Sequence, residues 1–210
     1  MRIRWRGLEL PTRVEADNAV TTPTFGRFIV EPFERGFGTT VGNSLRRILL
    51  SSLEGAAPIS VKIAGVDHEF AQIEGVMEDV TDIILNVKSI IVSMEGELPK
   101  TLSVTKKGPG VVTAGDLTGD ASITIHNKNQ VLATLTNENE FTMELEIRKG
   151  RGFVTALENT PEEQIIGMIP IDSVYSPVTR VRYKTEDTRV GQKTNYDRLI
   201  IEIWTNGTIT

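Results

Sequence analysis

The chain contains no cysteine, only two histidines and few aromatic residues, and it has no long apolar run. Without cysteine it can form neither a disulfide framework nor a thiolate metal site. No segment approaches eighteen consecutive apolar residues, so nothing in the sequence predicts a membrane-spanning helix. The opening MRIRWRGLEL lacks the apolar core of a secretory signal peptide. These absences favour a cytoplasmic protein.

Composition and charge are typical of a globular chain with little attraction for nucleic acids. The 210 residues are 39% hydrophobic and 24% charged, which is enough for one large or two small domains with real cores. The formal net charge is −5, whereas nucleic-acid affinity comes largely from clustered Lys and Arg. We therefore expect no direct nucleic-acid binding, although a local basic patch is compatible with this total.

Motifs for nucleotide binding and nucleophilic catalysis are incomplete. Gly36, Gly38 and Gly42 form the pattern G-x-G-x-x-x-G, one residue off the dinucleotide fingerprint, and no acidic residue follows in a strand at the required distance. The chain has no G-x-x-x-x-G-K-[ST] phosphate loop and no G-x-S-x-G nucleophile elbow. We predict no catalytic residue and no cofactor. A small-molecule site on the Gly36–Gly42 loop, which would bind a nucleotide without other subunits, stays open as an alternative.

The sequence also predicts no metal site. His68 and His126 are far apart in the chain, and His68 and Glu69 are adjacent rather than spaced to share a helix face. Asp116 and Asp120 fall short of a calcium-binding loop. We interpret each of these as a turn residue.

Two short basic runs lie beside glycines in the middle of the chain. Lys106-Lys107 and the run from Arg148 to Arg151 are typical of solvated hairpins. A nucleic-acid-binding β module at residues 90–157 is the second alternative left open, and it predicts salt-sensitive DNA binding. The low aromatic content of 6% weighs against it, because such modules stack bases on aromatic rings.

The stretch 31–55, EPFERGFGTTVGNSLRRILLSSLEG, has the period of an amphipathic helix. Thr39 or Thr40 can cap its start, and Gly55 can end it. Leu50, Arg46 and Arg47 fall on one side, which suggests a helix with two occupied faces: one for its own core or a twin subunit, and one for a different protein. A surface helix with one stray leucine is the simpler reading. The opposite side carries two glycines, which suggest close approach of a neighbour, and the apolar residues: Gly38, Val41, Gly42, Leu45, Ile48, Leu49 and Leu53.

The remainder of the chain predicts strands and one further clear helix. That helix spans Glu78–Ser89, with Asp79 and Asp82 near its positive end and an apolar stripe of Val80, Ile83, Ile84 and Val87. Pro32 is expected to break the strand before the first helix, and Thr160–Glu163 has the form of a helix start. Strands are predicted at Arg2–Trp5, Arg13–Ala16, Thr24–Val30, Ile59–Ile63, Thr101–Lys106, Val111–Thr113, Ala121–Ile125, Val131–Leu135, Phe141–Lys149, Val178–Tyr183 and Leu199–Trp204.

Three long segments carry a resemblance to a known family. ERGFGTTVGNSLRRILLSS, DHEFAQIEGVMEDVTDIILNVKSI (Asp67–Ile90) and IDSVYSPVTRVRYKTEDTRVGQKTNYDRLIIEIWTNGTI (Ile171–Ile209) follow one another in the family's order. They closely resemble the N-terminal assembly domain of the bacterial RNA polymerase alpha subunit. With the linking strands, the resemblance covers nearly the whole chain.

The resemblance implies an α+β fold made of a discontinuous dimerisation domain with an inserted, mostly β domain. Residues 1–54 and 175–210 would form the dimerisation domain, a mixed sheet plus a helix, and residues 55–174 the insert. The family continues into a long helix and a DNA-binding C-terminal domain, and we expect both to be absent from a chain ending at Thr210.

The resemblance also implies the partners: a second alpha subunit and the beta and beta-prime subunits, which this non-catalytic scaffold would bring together. The dimer contact is expected on the glycine-bearing side of the helix, at Gly38, Val41, Gly42, Leu45, Ile48 and Leu49. The beta contact is expected at Arg35, Arg46, Arg47, Leu50, His68, Glu69, Glu74 and Asp79. The beta-prime contact is expected at Lys88, Ile171, Val178, Arg180 and Arg198.

Overall fold

The computed structural model describes residues 10–161, 165–191 and 193–209, and the side chain of Lys193 is outside the description. These residues form two compact units, one reaching to Leu53 and resuming at Pro177, the other Glu54–Ser176. Strands far outnumber helices. In chain order the elements are β1 (Val14–Ala16), β2 (Phe25–Glu34), α1 (Phe37–Ser51), β3 (Glu54–Ile63), α2 (Val80–Lys88), β4 (Val92–Met94), β5 (Lys100–Lys107), β6 (Gly110–Thr113), β7 (Thr118–Gly119), β8 (Ile123–Ile125), β9 (Val131–Leu135), β10 (Glu140–Arg151), β11 (Phe153–Val154), α3 (Ala156–Asn159), β12 (Met168–Pro170), β13 (Ser173–Val174), β14 (Val178–Val190) and β15 (Lys193–Thr205).

The first unit, which we call the helix unit, is an antiparallel sheet with α1 packed on one face. Its strand order is β1-β2-β15-β14. Strands β14 and β15 form a hairpin far longer than the predicted Val178–Tyr183 and Leu199–Trp204. The additional residues are mostly polar, so the sequence shows no apolar alternation there. Hydrogen bonds to the neighbouring strand stabilise them: Glu31 on β2 accepts from Thr188 (2.7 Å) and Arg198 (2.7 and 3.2 Å).

The start of α1 corrects the predicted cap. The helix begins at Phe37, so neither Thr39 nor Thr40 is the N-cap residue. Gly36 takes that position with a φ of 88°, a left-handed conformation that favours glycine. Its N–H donates to Asp197 Oδ2 at 2.7 Å. A carboxylate on β15, 161 residues away in sequence, therefore accepts a hydrogen bond from the backbone N–H at the start of the helix.

Two predicted breaks near α1 are also wrong. The helix ends at Ser51 with Ser52 as its C-cap, while Gly55 lies in β3 opposite Gly150. Strand β2 continues through Pro32 instead of stopping there. The pairing of β2 with β15 shifts between Asp197 and Leu199, so the missing N–H of proline falls at an irregularity of the ladder.

The second unit, which we call the sheet unit, contains the larger apolar core. Its main sheet has the order β7-β5-β10-β3-β4-β8, with β12 also paired to β3. The predicted stripe of α2 is confirmed, because Val80, Ile83, Ile84 and Val87 are all buried. Asp79 is the N-cap, and its carboxylate accepts the Asp82 N–H at 2.8 Å.

Most strands predicted in this unit are confirmed with small changes at their ends. The ranges Thr101–Lys106, Val111–Thr113 and Val131–Leu135 match β5, β6 and β9 closely. Strand β10 is longer than predicted and pairs with both β3 and β5. The strand predicted at Arg2–Trp5 lies outside the described residues. The last two residues of the helix start predicted at Thr160–Glu163 also lie outside them. A short helix, α3, instead precedes that point and is capped by Thr155 and Glu158.

The turn at Asp120 makes the stability of the sheet unit sensitive to acid. Asp120 accepts hydrogen bonds from the Ser122 hydroxyl (2.6 Å) and N–H (2.9 Å), and Lys100 lies 3.4 Å away. These contacts lower the pKa of Asp120 from 3.8 to about 2. A depressed pKa contributes stability above pH 3.8 that is lost as the pH falls through about 2.

We therefore expect Asp120→Asn to lower the urea midpoint of this unit near neutral pH. The difference from the wild-type chain should shrink between pH 3.8 and about 2, because the wild-type carboxylate is then protonated. Urea titrations across that range test this. A difference that is as large at pH 2 as at neutral pH would contradict the assignment of the effect to the Asp120 charge.

Candidate protein-interaction surfaces

The two glycines of α1 face the sheet of their own unit. A Cβ at Gly38 would lie 2.9 Å from Thr185 Cγ2, and one at Gly42 would lie 2.6 Å from Tyr183 Cδ2. Both glycines are buried in the single chain. The expected close approach is therefore present, but the chain's own strands make it. The place of Gly38 and Gly42 in a dimer contact stays a prediction.

Leu50 also belongs to the inner side of the helix. With Leu49 and Leu53 it packs against the buried cluster of Val178, Val181 and Ile201. The sheet-facing arc of α1 is thus wider than the glycine stripe alone suggested, and the contact of the half-buried Leu50 with a partner stays a prediction. Leu49 is likewise half-buried inside the unit.

An apolar edge of α1 stays exposed. Phe37, Leu45 and Ile48 are exposed, Ile48 at 54%, and Val41 between them is half-buried. At 100° per residue these four positions fall within about 80° of one another on the helix surface. They form a continuous stripe, which we call the α1 edge. Leu45, Ile48 and Val41 were predicted for a dimer contact, and Phe37 was missed because it precedes the predicted start of the helix.

The arginines of α1 project without partners. Arg46 and Arg47 are exposed, and the guanidinium group of neither makes a hydrogen bond or ion pair with any residue of the described ranges. Arg35, just before the helix, donates to Asn195 Oδ1 at 3.3 Å. Guanidinium groups that have no internal partner are available for bidentate contacts to carboxylates or carbonyls of another protein.

The other predicted beta-contact residues lie in the sheet unit. His68, Glu69 and Glu74 are exposed in the long connection between β3 and α2. Asp79 ends this connection, and its carboxylate is already used as the cap of α2. The Thr81 hydroxyl donates to the Glu69 carbonyl at 3.0 Å, which ties the connection to the first turn of the helix.

Two large apolar residues in the same connection were missed from sequence. Phe70 and Met77 are among the most exposed apolar side chains that the structure describes. An exposed aromatic and an exposed methionine are residue types enriched at protein interfaces. Their exposure was not visible in the sequence, because an isolated apolar residue in a loop is as often buried as exposed.

The predicted beta-prime residues divide into exposed and buried ones. Ile171 and Val178 are each only 2% exposed in the single chain, and their direct contact with a partner stays a prediction. Their apolar side chains fill the cores of the two units. Lys88 is exposed and bonds Asp172 Oδ2 at 2.8 Å, an ion pair that also lowers the pKa of Asp172. Arg180 is exposed with its guanidinium over the Trp204 ring.

The fifth residue of that group, Arg198, has an internal partner. Its guanidinium bonds Glu31 at 2.7 Å and holds the pKa of that carboxyl below its usual value. This pair links β15 to β2 within the helix unit.

Acidic side chains oppose both alternatives that the sequence left open, a nucleotide site at Gly36–Gly42 and a nucleic-acid-binding module at residues 90–157. The N–H of Gly36 is taken by the Asp197 carboxylate, whose negative charge opposes a phosphate at the start of α1. In the middle of the chain Lys106 bonds Asp116 at 3.0 Å, and Arg151 pairs with Glu54, so these basic residues are already neutralised by acids. Within the described ranges there is no group of three or more potential metal ligands. No helix in those ranges is long and apolar enough to cross a membrane.

Comparison with known proteins gives consistent results. A family model described as the RNA polymerase Rpb3/RpoA insert domain matches residues 61–176. DNA-directed RNA polymerase subunit alpha from Rhodopirellula baltica is 54% identical over 100% of this chain and 63% of that protein. The same subunit from Heliobacterium modesticaldum is 56% identical over 89% of this chain and 59% of its own length. The Clostridium beijerinckii subunit is 52% identical over 93% and 62%. The chain thus spans about three fifths of the length of the curated relatives it matches.

Proposed function

The chain belongs to the family of bacterial DNA-directed RNA polymerase alpha subunits, and on this basis we propose that it acts as a non-catalytic scaffold for assembly of the polymerase. Two copies pair, and the pair brings the beta and beta-prime subunits together in the cytoplasm. The nucleotidyltransferase chemistry belongs to the complex, and this chain contributes no catalytic residue, metal ligand or cofactor. The observation that carries the proposal concerns the helix α1. Its inner side packs on its own sheet, whereas the α1 edge is exposed and the guanidinium groups of Arg46 and Arg47 have no partner among the described residues.

Pairing of two copies uses the α1 edge. The residues Phe37, Val41, Leu45 and Ile48 give an apolar stripe about three turns long, and burying it against a twin stripe removes apolar surface from water. A two-fold arrangement suits this feature, because one patch then serves both sides of the contact. Gly38 and Gly42 support the contact from behind, since they let the helix lie close to the sheet that holds it.

Binding of the beta subunit uses Arg47 as its principal contact, with Arg35 and Arg46 beside it. The unpartnered guanidinium of Arg47 loses no internal bond when it turns to a partner carboxylate or carbonyl, so only its desolvation and side-chain ordering offset the gain from its hydrogen bonds. The connection carrying His68, Glu69 and Glu74 belongs to the same proposed contact, and we add the exposed Phe70 and Met77 to it.

Binding of beta-prime uses the exposed Lys88 and Arg180. Ile171 and Val178 support this contact indirectly: they hold β12, β13 and β14 in place through core packing, so their substitution would displace surface residues rather than remove a direct contact. Arg198 acts in a similar way, through its ion pair with Glu31.

Arg47→Ala tests the proposed beta contact. In size-exclusion chromatography of the chain mixed with its cognate beta subunit, the wild-type chain should co-elute with beta, and the variant should elute separately. Truncating a bidentate arginine at a protein interface costs about 2 kcal/mol or more, which is at least about thirtyfold in affinity.

The matched control is Arg13→Ala, which removes an equally charged side chain from the surface of the same unit. Arg13 is exposed, and among the described residues its side chain is paired only with the nearby Glu15. It should leave co-elution unchanged. Unchanged co-elution of the Arg47 variant would refute the role of Arg47, and separate elution of the wild-type chain would contradict the scaffold function for this chain by itself.

A further inference from the structure

The face of the β14–β15 hairpin opposite α1 carries a row of basic side chains. Successive side chains of a strand point to opposite faces of the sheet. Tyr183 on β14 packs in the apolar cluster beneath α1, so Arg180, Arg182 and Lys184 lie on the other face. All three are exposed. They stand opposite Trp204, Glu202 and Ile200 of β15.

Two of these three charges have no acidic partner. Lys184 is paired with Glu186 at 2.7 Å. Arg182 stands opposite Glu202, but that carboxylate accepts from Arg27 Nε and Nη2 at 3.1 and 2.9 Å instead. The guanidinium group of Arg182 is therefore left without a hydrogen bond or ion pair to any described residue.

Arg180 is held by an aromatic ring rather than by an acid. Its Cζ lies 4.9 Å from the centroid of the Trp204 ring, at a distance typical of a cation–π contact. Trp204 is fixed in turn by Phe25, with the two ring centroids 4.9 Å apart. The stacked guanidinium keeps its N–H edges free to donate, so Arg180 is pre-positioned for an anion while its charge remains uncompensated.

We propose that Arg180, Arg182 and Trp204 form a binding site for an extended acidic segment of a partner polypeptide, an inference that rests on the proposed beta-prime contact at Arg180 and names the chemistry of the segment bound there. The two arginines are two residues apart on a strand, which separates their Cα atoms by about 6.8 Å. Carboxylates at alternate positions of an extended peptide have the same spacing, so one acidic side chain can meet each guanidinium in a charge-assisted pair. The half-buried ring of Trp204 contacts the apolar part of the segment.

The charges around the site favour a peptide over a nucleic acid. Glu202 and Glu186 lie on the same face within one or two strand positions of the arginines, and the whole chain has a net charge of −5. A continuous phosphate backbone would pass close to these carboxylates. A peptide with acidic residues only at alternate positions places its charges at the two arginines alone.

The fluorescence of Trp204 provides the test. In a Trp5→Phe background Trp204 is the only tryptophan of the chain, and the probe is a synthetic peptide with the pattern Thr-Glu-Thr-Glu-Thr. We expect saturable quenching or a spectral shift, and a loss of affinity of about tenfold or more in Arg182→Gln, since a charge-assisted contact is removed. Arg182 leaves no internal partner unpaired when it is removed, so the variant should fold normally.

Three controls decide among the outcomes. Arg151→Gln removes an arginine from the sheet unit and should leave the affinity unchanged. A peptide with Gln in place of both Glu should not bind, and oligo(dT) of similar charge should bind more weakly than the acidic peptide. The proposal is overturned if the acidic peptide does not bind, if Arg182→Gln and Arg151→Gln lose affinity equally, or if oligo(dT) binds better and depends on Arg182.

Discussion

Replacing Gly42 by valine is expected to lower the free energy of unfolding of the helix unit by about 3 kcal/mol. A Cβ at this position would lie 2.6 Å from Tyr183 Cδ2 and 2.9 Å from Leu199 Cδ1. Leu199 is completely buried, and a close-packed interior offers few voids into which such a side chain can move. The helix must then shift away from β14 and β15, which loosens the contacts of Leu49 and Leu53 with the sheet.

Urea unfolding followed by Trp204 fluorescence measures this effect, because Trp204 lies on β15 of the same unit. Asn43→Ala is the matched control: it changes the neighbouring, exposed helix residue and should be neutral or slightly stabilising through helix propensity. Gly42→Ala should fall between the two, since its propensity gain of about 1 kcal/mol offsets part of the overpacking. Equal midpoints for Gly42→Val and Asn43→Ala would contradict the close packing of α1 on the sheet.

The double substitution Leu45→Glu with Ile48→Glu is expected to abolish pairing of two chains. Both side chains are exposed in the single chain, so the variant should fold. In the proposed pair each substitution would bring carboxylates into an apolar contact without a partner charge. Four such charges per pair should weaken association by at least about a hundredfold.

Sedimentation velocity over a range of concentrations measures the change in association. The matched control is Leu157→Glu, which introduces the same charge at an apolar residue of the sheet unit that is 84% exposed. It should keep the wild-type distribution of monomer and dimer. A dimer that persists in the double variant would show that pairing uses another surface, and a monomeric wild-type chain would refute pairing through the α1 edge alone.

Local sequence pattern was sufficient to predict helices and strands that depend on residues close together in the chain. The stripe from Val80 to Val87 predicted both the helix α2 and its buried side, since residues three and four apart on a helix share one face. The alternating run Ile59–Ile63 marked part of β3 for the same kind of reason. The three long matching segments were specific enough to indicate the family by their residues alone.

Contacts between residues distant in sequence could not be predicted in this way. The N-terminus of α1 is satisfied by Asp197, so its start at Phe37 depends on a strand that follows it by some 160 residues. The hairpin of β14 and β15 is extended by pairs such as Glu31 with Arg198, which leave no apolar alternation in the sequence. Hydrogen-bond partners of this kind are set by the fold and not by local propensity.

The sequence by itself determined that this protein has an amphipathic first helix with glycines on one side and arginines on the other, and it determined the family to which the chain belongs. Only the tertiary structure decided which part of that helix is available to a partner. Periodicity locates an apolar arc, but the share of the arc that is covered depends on the sheet packed against it. That packing buried Gly38 and Gly42 and half-buried Leu50, and it left Phe37, Ile48 and Arg47 at the surface.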